Sequence, residues 1–133
     1  MKTKKPRQKK PVYRTPREVY DKWIDALNSG RYRQGYGCLK FKPSGKSYQY
    51  CCLGVLCNLM NKDGGPSWGS YTNSAGDKIF DMLGGNEDIP IKLARYLKLS
   101  KTERYTLMNL NDGGRSFKGI AEHIVTLRDA KFP

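Results

Sequence analysis

The chain has 133 residues, of which 38% are hydrophobic and 28% charged, and its formal net charge at pH 7 is +13. This length fits one domain whose hydrophobic core needs neither disulfides nor a metal ion. No apolar run of about eighteen residues is present and no apolar stretch follows the basic start, so neither a transmembrane helix nor a secretory signal is predicted. We therefore expect a protein of a bacterial-type cytoplasm or a host-cell interior, with no membrane partner.

The positive charge is concentrated in the first part of the chain. Residues 1–50 contain fourteen Lys or Arg and three Asp or Glu, whereas residues 51–133 contain eleven and nine. Such an asymmetry favours a polyanionic partner. DNA or RNA is the leading expectation, and an acidic protein is the alternative.

The composition of residues 1–14 predicts a disordered basic arm, because seven cations and two prolines oppose a packed structure. Residues 15–133 are predicted to form a single globular domain. Its first helix begins with Thr15-Pro16-Arg17-Glu18, which combines a capping box with a proline in the first helical turn. Apolar residues then recur at helical spacing, and Asn28-Ser29-Gly30 is expected to end the helix.

Residues 36–50 predict a β-hairpin that turns at Pro43-Ser44-Gly45-Lys46. Its register can be predicted from the apolar pattern. Pairing Leu39 with Tyr50 and Phe41 with Tyr48 places all four apolar side chains on one buried face.

The same register makes two further predictions. It sets Cys38 opposite Cys51, with Cα atoms roughly 4.5–5.5 Å apart, which is within reach of a disulfide under oxidising conditions. It also places two lysines on the outer face of the hairpin, beside two arginines of the preceding segment: Lys40, Lys42, Arg31 and Arg33.

The segment 51–60 is apolar almost all round and predicts a buried central helix, in which Gly54 permits the close approach of a neighbouring element. Residues 66–88 are rich in Gly, Ser and Asn and have little pattern, and a short helix is predicted over Asp77–Leu83. Pro90, at a first helical position, opens a helix over Ile91–Leu97.

Two more helices are predicted towards the end of the chain. Ser100-Lys101-Thr102-Glu103 is a second capping box and opens a helix to about Leu110. Ser116 caps the last helix, after a turn at Asn111-Asp112-Gly113-Gly114. The predicted fold is α+β and mainly α, with four to five helices and one small antiparallel β-hairpin.

Three blocks of this sequence resemble an uncharacterised family of small proteins from tailed bacteriophages and bacteria. The blocks are Trp23-x-x-Ala26-Leu27-x-Ser29-Gly30-x-Tyr32-x-Gln34, Cys51-Cys52-Leu53-Gly54-Val55-Leu56-Cys57-x-Leu59, and Leu107-x-x-Leu110-Asn111-Asp112-x-Gly114-x-Ser116-Phe117-x-x-Ile120-Ala121-x-x-Ile124. The resemblance implies a phage or prophage accessory protein, in the cytoplasm of the host cell or in the virion, and an acidic partner would then be a host protein or a phage structural protein. It implies no activity, cofactor or catalytic residue, and the basic arm lies outside it.

Cations and aromatic rings alternate through the basic half of the chain, which is typical of nucleic-acid binding. Cations neutralise phosphates and release counterions, and exposed rings can stack on unpaired bases. No helix-turn-helix, zinc-finger or RNP signature is present, so phosphate contacts rather than sequence recognition are expected. The residues predicted to bind nucleic acid are Lys4, Lys5, Arg7, Lys9, Lys10, Arg14, Arg31, Arg33, Lys40 and Lys42.

The sequence gives less support to a metal site, a catalytic site or a phosphate-binding turn than to nucleic-acid binding. The spacing Cys52-x₄-Cys57 is too long for a zinc knuckle, and the only histidine, His123, is remote in sequence from the cysteines. A Cys–His pair or a phosphate-binding turn at residues 112–116 is therefore less expected than core thiols and a capped turn. We predict no cofactor, metal or catalytic residue. A non-enzymatic accessory protein that binds nucleic acid is favoured over a protein-binding module, such as a host-enzyme inhibitor or a minor virion component. A small enzyme with an active site in residues 66–88 is the third alternative.

Overall fold

The computed structural model describes residues 15–133, so the predicted arm at 1–14 lies outside the described residues. The described part contains the helices α1 (Pro16–Asn28), α2 (Cys52–Lys62), α3 (Ile91–Tyr96), α4 (Lys101–Asp112) and α5 (Phe117–Lys131). It also contains the strands β1 (Lys40–Lys42), β2 (Gln49–Tyr50), β3 (Trp68–Thr72) and β4 (Lys78–Met82), which form one antiparallel sheet in the order β2-β1-β4-β3. The fold is α+β and mainly α, as the sequence predicts.

Both predicted capping boxes are confirmed. The Thr15 hydroxyl accepts the backbone N–H of Glu18 at 3.1 Å, and the Glu18 carboxylate accepts the N–H of Thr15 at 2.9 Å. Ser100 and Glu103 make the same pair of bonds at the start of α4. These residues satisfy N–H groups that have no partner within the first helical turn, and so they fix where α1 and α4 begin.

The hydrophobic core is built around α2, which confirms the predicted buried central helix. All residues from Cys52 to Cys57 are buried, and α2 packs on α1 and α4, while α1 also packs along α5. The indole N–H of Trp23 on α1 donates to the carbonyl oxygen of Cys52 at 2.9 Å. A methyl group added at Gly54 would overlap the carbonyl oxygen of Leu39, so glycine allows α2 to lie directly against the residue that precedes β1.

The predicted helix over Asp77–Leu83 is wrong, because these residues belong to a second β-hairpin. Strands β3 and β4 pair from Trp68 opposite Met82 to Thr72 opposite Lys78. The turn between them is held by the Asn73 side chain, which accepts the N–H groups of Ala75 at 2.9 Å and Asp77 at 3.0 Å. Phe80 and Met82 are buried and their neighbours in β4 are not, which is strand alternation rather than helical spacing.

The predicted register of the first hairpin is also wrong, by one residue. Lys40 lies opposite Tyr50 and Phe41 opposite Gln49, so Tyr50 shares a face with Lys40 rather than with Phe41. The predicted pairing assumed an isolated hairpin with one buried face. In the sheet, β1 also pairs with β4, where Phe80 lies opposite Lys40 and adds an aromatic ring to the lysine's face.

The same shift rules out the predicted pairing of two cysteines across the strands. The N–H of Cys51 donates to the carbonyl oxygen of Leu39 at 3.1 Å, so Leu39 rather than Cys38 is the neighbour of Cys51. All four cysteines are free thiols, although Cys38 and Cys51 line the same small cavity. Within residues 15–133 no helix is both long and apolar enough to cross a membrane.

The later helices differ from their predictions only at the ends. Pro90, predicted at a first helical position, is instead the N-cap of α3, and the helix ends at Tyr96 rather than Leu97. Helix α4 continues to Asp112 and is capped by Gly113, and Ser116 caps α5 as predicted.

Candidate nucleic-acid interface

An open groove with a volume of about 680 Å³ lies where the end of α1, strand β2 and helix α2 meet. Three cationic side chains line it, from Arg31, Arg33 and Lys62. None of the described residues that line it is acidic. The remaining lining residues are small, polar, aromatic or aliphatic: Ala26, Gly30, Tyr32, Ser47, Tyr48, Tyr50, Asn58 and Leu59.

The segment that carries the two arginines is held by its backbone. The N–H of Tyr50 donates to the carbonyl oxygen of Arg33 at 2.9 Å, and the N–H of Gly35 donates to the carbonyl oxygen of Tyr50 at 2.7 Å. These two bonds form a parallel bridge between Gln34 and Tyr50 and cover the outer edge of β2. The arginine side chains are exposed, so they extend from a fixed backbone into the solvent of the groove.

Tyr32 and Tyr50, two of the three tyrosines in the groove, are held by contacts with neighbouring side chains. The Asn58 amide donates to the hydroxyl of Tyr32 at 3.1 Å and accepts the indole N–H of Trp68 at 3.1 Å. The rings of Tyr32 and Tyr50 meet edge to face, with centroids 5.0 Å apart. Burial and the neighbouring Tyr32 and Tyr48 raise the pKa of Tyr50 to about 12, so its hydroxyl stays neutral at physiological pH.

Tyr48 is the groove tyrosine with the most exposed side chain. It is 46% exposed, whereas Tyr32 and Tyr50 are only partly exposed. Its ring contacts Phe80 edge on, with centroids 5.7 Å apart. Tyr48 therefore presents a positioned aromatic ring to the groove.

Lys40 lies against this ring and is not among the residues that line the groove. Its ammonium is 4.5 Å from the ring centroid of Phe80, 4.6 Å from that of Tyr48, 5.2 Å from that of Trp68 and 5.5 Å from that of Tyr50. Burial among these rings lowers the pKa of Lys40. The prediction that Lys40 lies on a face away from the tyrosines is therefore wrong, because the aromatic faces surround its cation.

The other predicted phosphate contacts fall into two groups. Lys42 is half-buried at the end of β1, opposite Lys78 of β4, and does not line the groove. The lysines and arginines of the arm lie outside the residues that the structure describes: Lys4, Lys5, Arg7, Lys9, Lys10 and Arg14. Of the ten predicted residues, the groove brings together Arg31 and Arg33.

Sequence reasoning missed Lys62, which completes the set of cations in the groove. Asn58, Leu59 and Lys62 lie within one turn of α2 and share a helical face, and all three line the groove. That spacing is visible in the sequence. What the sequence does not show is that this face of α2 meets the segment with the arginines.

Three of the four cysteines, Cys51, Cys52 and Cys57, are core residues, whereas Cys38 is only partly buried. Burial raises the pKa of the Cys51 thiol to about 12 and raises those of Cys52 and Cys57 as well, so these groups are protonated thiols at neutral pH. The Cys51 sulfur accepts the N–H of Gly54 at 3.4 Å and caps α2. Over residues 15–133, no group of three or more His, Cys, Asp or Glu side chains is arranged to hold a metal ion.

The glycine turn before α5 is a turn and a cap, which is the interpretation that the sequence favours over a phosphate site. The Ser116 hydroxyl accepts the N–H of Gly119 at 3.1 Å, at the first turn of α5. The Asp112 carboxylate accepts the N–H of Gly37 at 3.0 Å and so joins the turn to the segment before β1.

Residues 15–133 thus define a small α+β protein with a basic, tyrosine-lined groove. The chain belongs to the family described as a domain of unknown function (DUF8296), whose model matches residues 16–128. The match begins at the first residue of α1, and it includes every residue that lines the groove. Comparison with curated proteins and with solved structures found no match.

Proposed function

We propose that this protein binds nucleic acid, largely through phosphate contacts, in a non-enzymatic accessory role. The observation that supports this proposal is the groove lined by Arg31, Arg33 and Lys62 with no acidic side chain among its described lining residues. Like charges held close together repel one another, so a site of this kind gains free energy when an anion enters it. The net charge of +13 adds a long-range attraction for a polyanion.

The groove and the basic segment 1–14 have complementary roles in this proposal. Each phosphate that a cation neutralises releases counterions and contributes about −0.9 to the slope of log K against log salt for duplex DNA, or about −0.7 for a single strand. The three groove cations therefore account for about 3 units of slope with duplex DNA and about 2 with a single strand. The seven cations of residues 1–14 add attraction that does not depend on the groove.

A salt series with charge-removing variants tests the proposal. In one variant Arg31, Arg33 and Lys62 are replaced by Gln. The matched control replaces three exposed cations outside the groove by Gln: Lys92, Arg95 and Lys118. Affinity for mixed-sequence DNA and RNA is measured by fluorescence anisotropy for the native protein and for both variants.

We expect the groove variant to bind more weakly than the control and to lose about 2 units of salt slope with a single strand or about 3 with duplex DNA. Equal losses in the two variants would show that the groove makes no specific contribution. No binding of any DNA or RNA at low salt would overturn the proposal. A partner captured from a host lysate that survives nuclease treatment would then favour the alternative, a module that binds an acidic protein.

The phage or prophage context is part of the proposal and depends on the resemblance of the three sequence blocks. In that context the protein acts in the cytoplasm of the host cell, where it encounters both host and phage nucleic acid.

A further inference from the structure

The aromatic side of the groove has a feature that phosphate binding alone does not require. Tyr48 is 46% exposed, and Tyr71, on the opposite face of the same sheet, is exposed to a similar extent, 53%. Of these two tyrosines, only Tyr48 lines the groove together with the three cations. Its ring is also held in place before any ligand arrives, by the edge contact with Phe80 and by the Lys40 ammonium 4.6 Å from its centroid.

A ring in this position suits an unpaired base. Base–aromatic stacking contributes affinity with every base, because each base has a π-face. In a duplex, neighbouring base pairs cover those faces, so a protein reaches only the base edges and the phosphates. The groove volume of about 680 Å³ is in the range of sites that enclose small ligands, about 300–1,000 Å³, and is far too small to enclose a duplex.

We propose that the groove selects unpaired nucleotides, with one base stacked on Tyr48 and adjoining phosphates held by Arg31, Arg33 and Lys62. This inference rests on the proposed function and names its substrate class as single-stranded DNA or RNA. Tyr32 and Tyr50 also line the groove, where Asn58 and the edge-to-face contact fix their orientation. Because Tyr48 is already positioned, little conformational entropy is lost when a base stacks on it.

The test compares a single strand with a duplex of the same length. Fluorescence anisotropy of a labelled thymidine homopolymer and of a labelled mixed-sequence duplex is measured with the full chain. The variants are Tyr48→Ala, Tyr48→Leu and Tyr48→Phe. Leucine preserves apolar contact with Phe80 but offers no aromatic face, and phenylalanine preserves the ring. Tyr71→Ala is the matched control, because it removes an equally exposed tyrosine outside the groove.

We expect the native protein to bind the single strand more tightly than the duplex. Tyr48→Ala and Tyr48→Leu should weaken single-strand binding roughly 5- to 150-fold, the effect of losing one stacked base, and should leave duplex binding almost unchanged. Tyr48→Phe and Tyr71→Ala should behave like the native protein.

Two other outcomes would each overturn the inference. If single strand and duplex bind equally and the Tyr48 variants match Tyr71→Ala, the stacking site is absent while the proposed phosphate binding stands. If neither nucleic acid binds at low salt, the inference and the proposed function both fail.

Discussion

The side-chain oxygen of Asn111 accepts the backbone N–H of Cys52 at 3.1 Å, so a residue at the end of α4 satisfies the first turn of α2. The same oxygen accepts the Gln34 amide at 3.0 Å, and the Asn111 amide donates to the carbonyl oxygen of Gly35 at 2.8 Å. Asn111 is fully buried. One side chain therefore fixes α2 and α4 against the segment that continues from Arg33.

Replacing Asn111 by Ala should destabilise the protein strongly. It leaves the N–H of Cys52 and the carbonyl oxygen of Gly35 buried without this partner, at about 1–3 kcal/mol for each group, so we expect a loss of about 2–6 kcal/mol. Urea denaturation at an unchanged m-value measures the loss. Asn109→Ala is the control, because Asn109 is exposed on the same helix and should cost less than about 0.5 kcal/mol. Equal effects of the two variants would contradict the bridging role.

Two glycines in helices should respond to alanine in opposite directions. Gly54→Ala would drive a methyl group into the backbone of Leu39, so we expect a loss of at least about 3 kcal/mol, the upper end of overpacking costs. At Gly119 the added methyl would lie 2.7 Å from the Arg115 Cδ, on an exposed side chain that can move away. Gly119→Ala should therefore raise the free energy of unfolding by up to about 1 kcal/mol through helix propensity. Thermal melts of both variants provide the comparison, and a neutral Gly54→Ala would show that α2 can shift.

The aromatic surroundings of Lys40 predict how it tolerates substitution. Lys40→Met preserves apolar contact with the rings and loses only the attraction of the cation for them, about 0.5–2 kcal/mol. Lys40→Glu places a carboxylate against negative ring faces and should cost clearly more. The urea denaturation midpoints of the two variants measure this difference in stability. Equal midpoints would mean that the ammonium is not held among the rings.

Substitutions at Lys40 can also show whether this lysine has a structural role or contacts phosphate. If Lys40 acts mainly through the rings, Lys40→Met should lower nucleic-acid affinity less than Arg33→Gln, although each variant removes one positive charge. An equal or larger loss with Lys40→Met would restore Lys40 to the binding surface.

The buried thiols predict a loss of stability in alkali. Burial raises the pKa of Cys51 from its ordinary value of 9.0 to about 12, so between these pH values the native chain keeps a proton that the unfolded chain releases. The stabilisation is complete below pH 9 and is lost as the pH rises towards 12. In this interval Cys51→Ser should reduce the fall in unfolding free energy by up to about 1.4 kcal/mol per pH unit, because serine caps α2 without titrating. Parallel curves for the two proteins would contradict this assignment.

The features that were predictable from the sequence are the ones set by neighbours in the chain. The start of α1 depends on Thr15 and Glu18, three residues apart, and both were found as a capping box. The register at Lys40 was not predictable in this way, because it depends on Phe80 and Trp68, which belong to the second hairpin. That hairpin was missed because Ile79, Phe80 and Leu83 fit helical spacing as well as a strand, and only pairing with β1 and β3 decides between the two.

In the candidate site too, proximity between neighbours in the chain was predictable and long-range proximity was not. Arg31 and Arg33 are two residues apart, so the sequence places them together and the groove confirms that proximity. Lys62 joins them only because Asn111 and the backbone of residues 33–35 bring α2 beside that segment. The role of Tyr48 depends on the same register that the apolar pattern predicted incorrectly.

The hydrogen bonds from Tyr32 through Asn58 to Trp68 make the fluorescence of Trp68 sensitive to what occupies the groove. Of its two tryptophans, Trp23 is fully buried under α2, whereas Trp68 is half-buried and connects through one amide to a wall of the groove. A molecule that enters the groove and displaces the Tyr32 hydroxyl changes the polarity around the Trp68 indole. The maximum of the tryptophan fluorescence of the unlabelled protein should then shift on binding. Trp23 contributes a constant background, which can be measured alone in a Trp68→Phe variant.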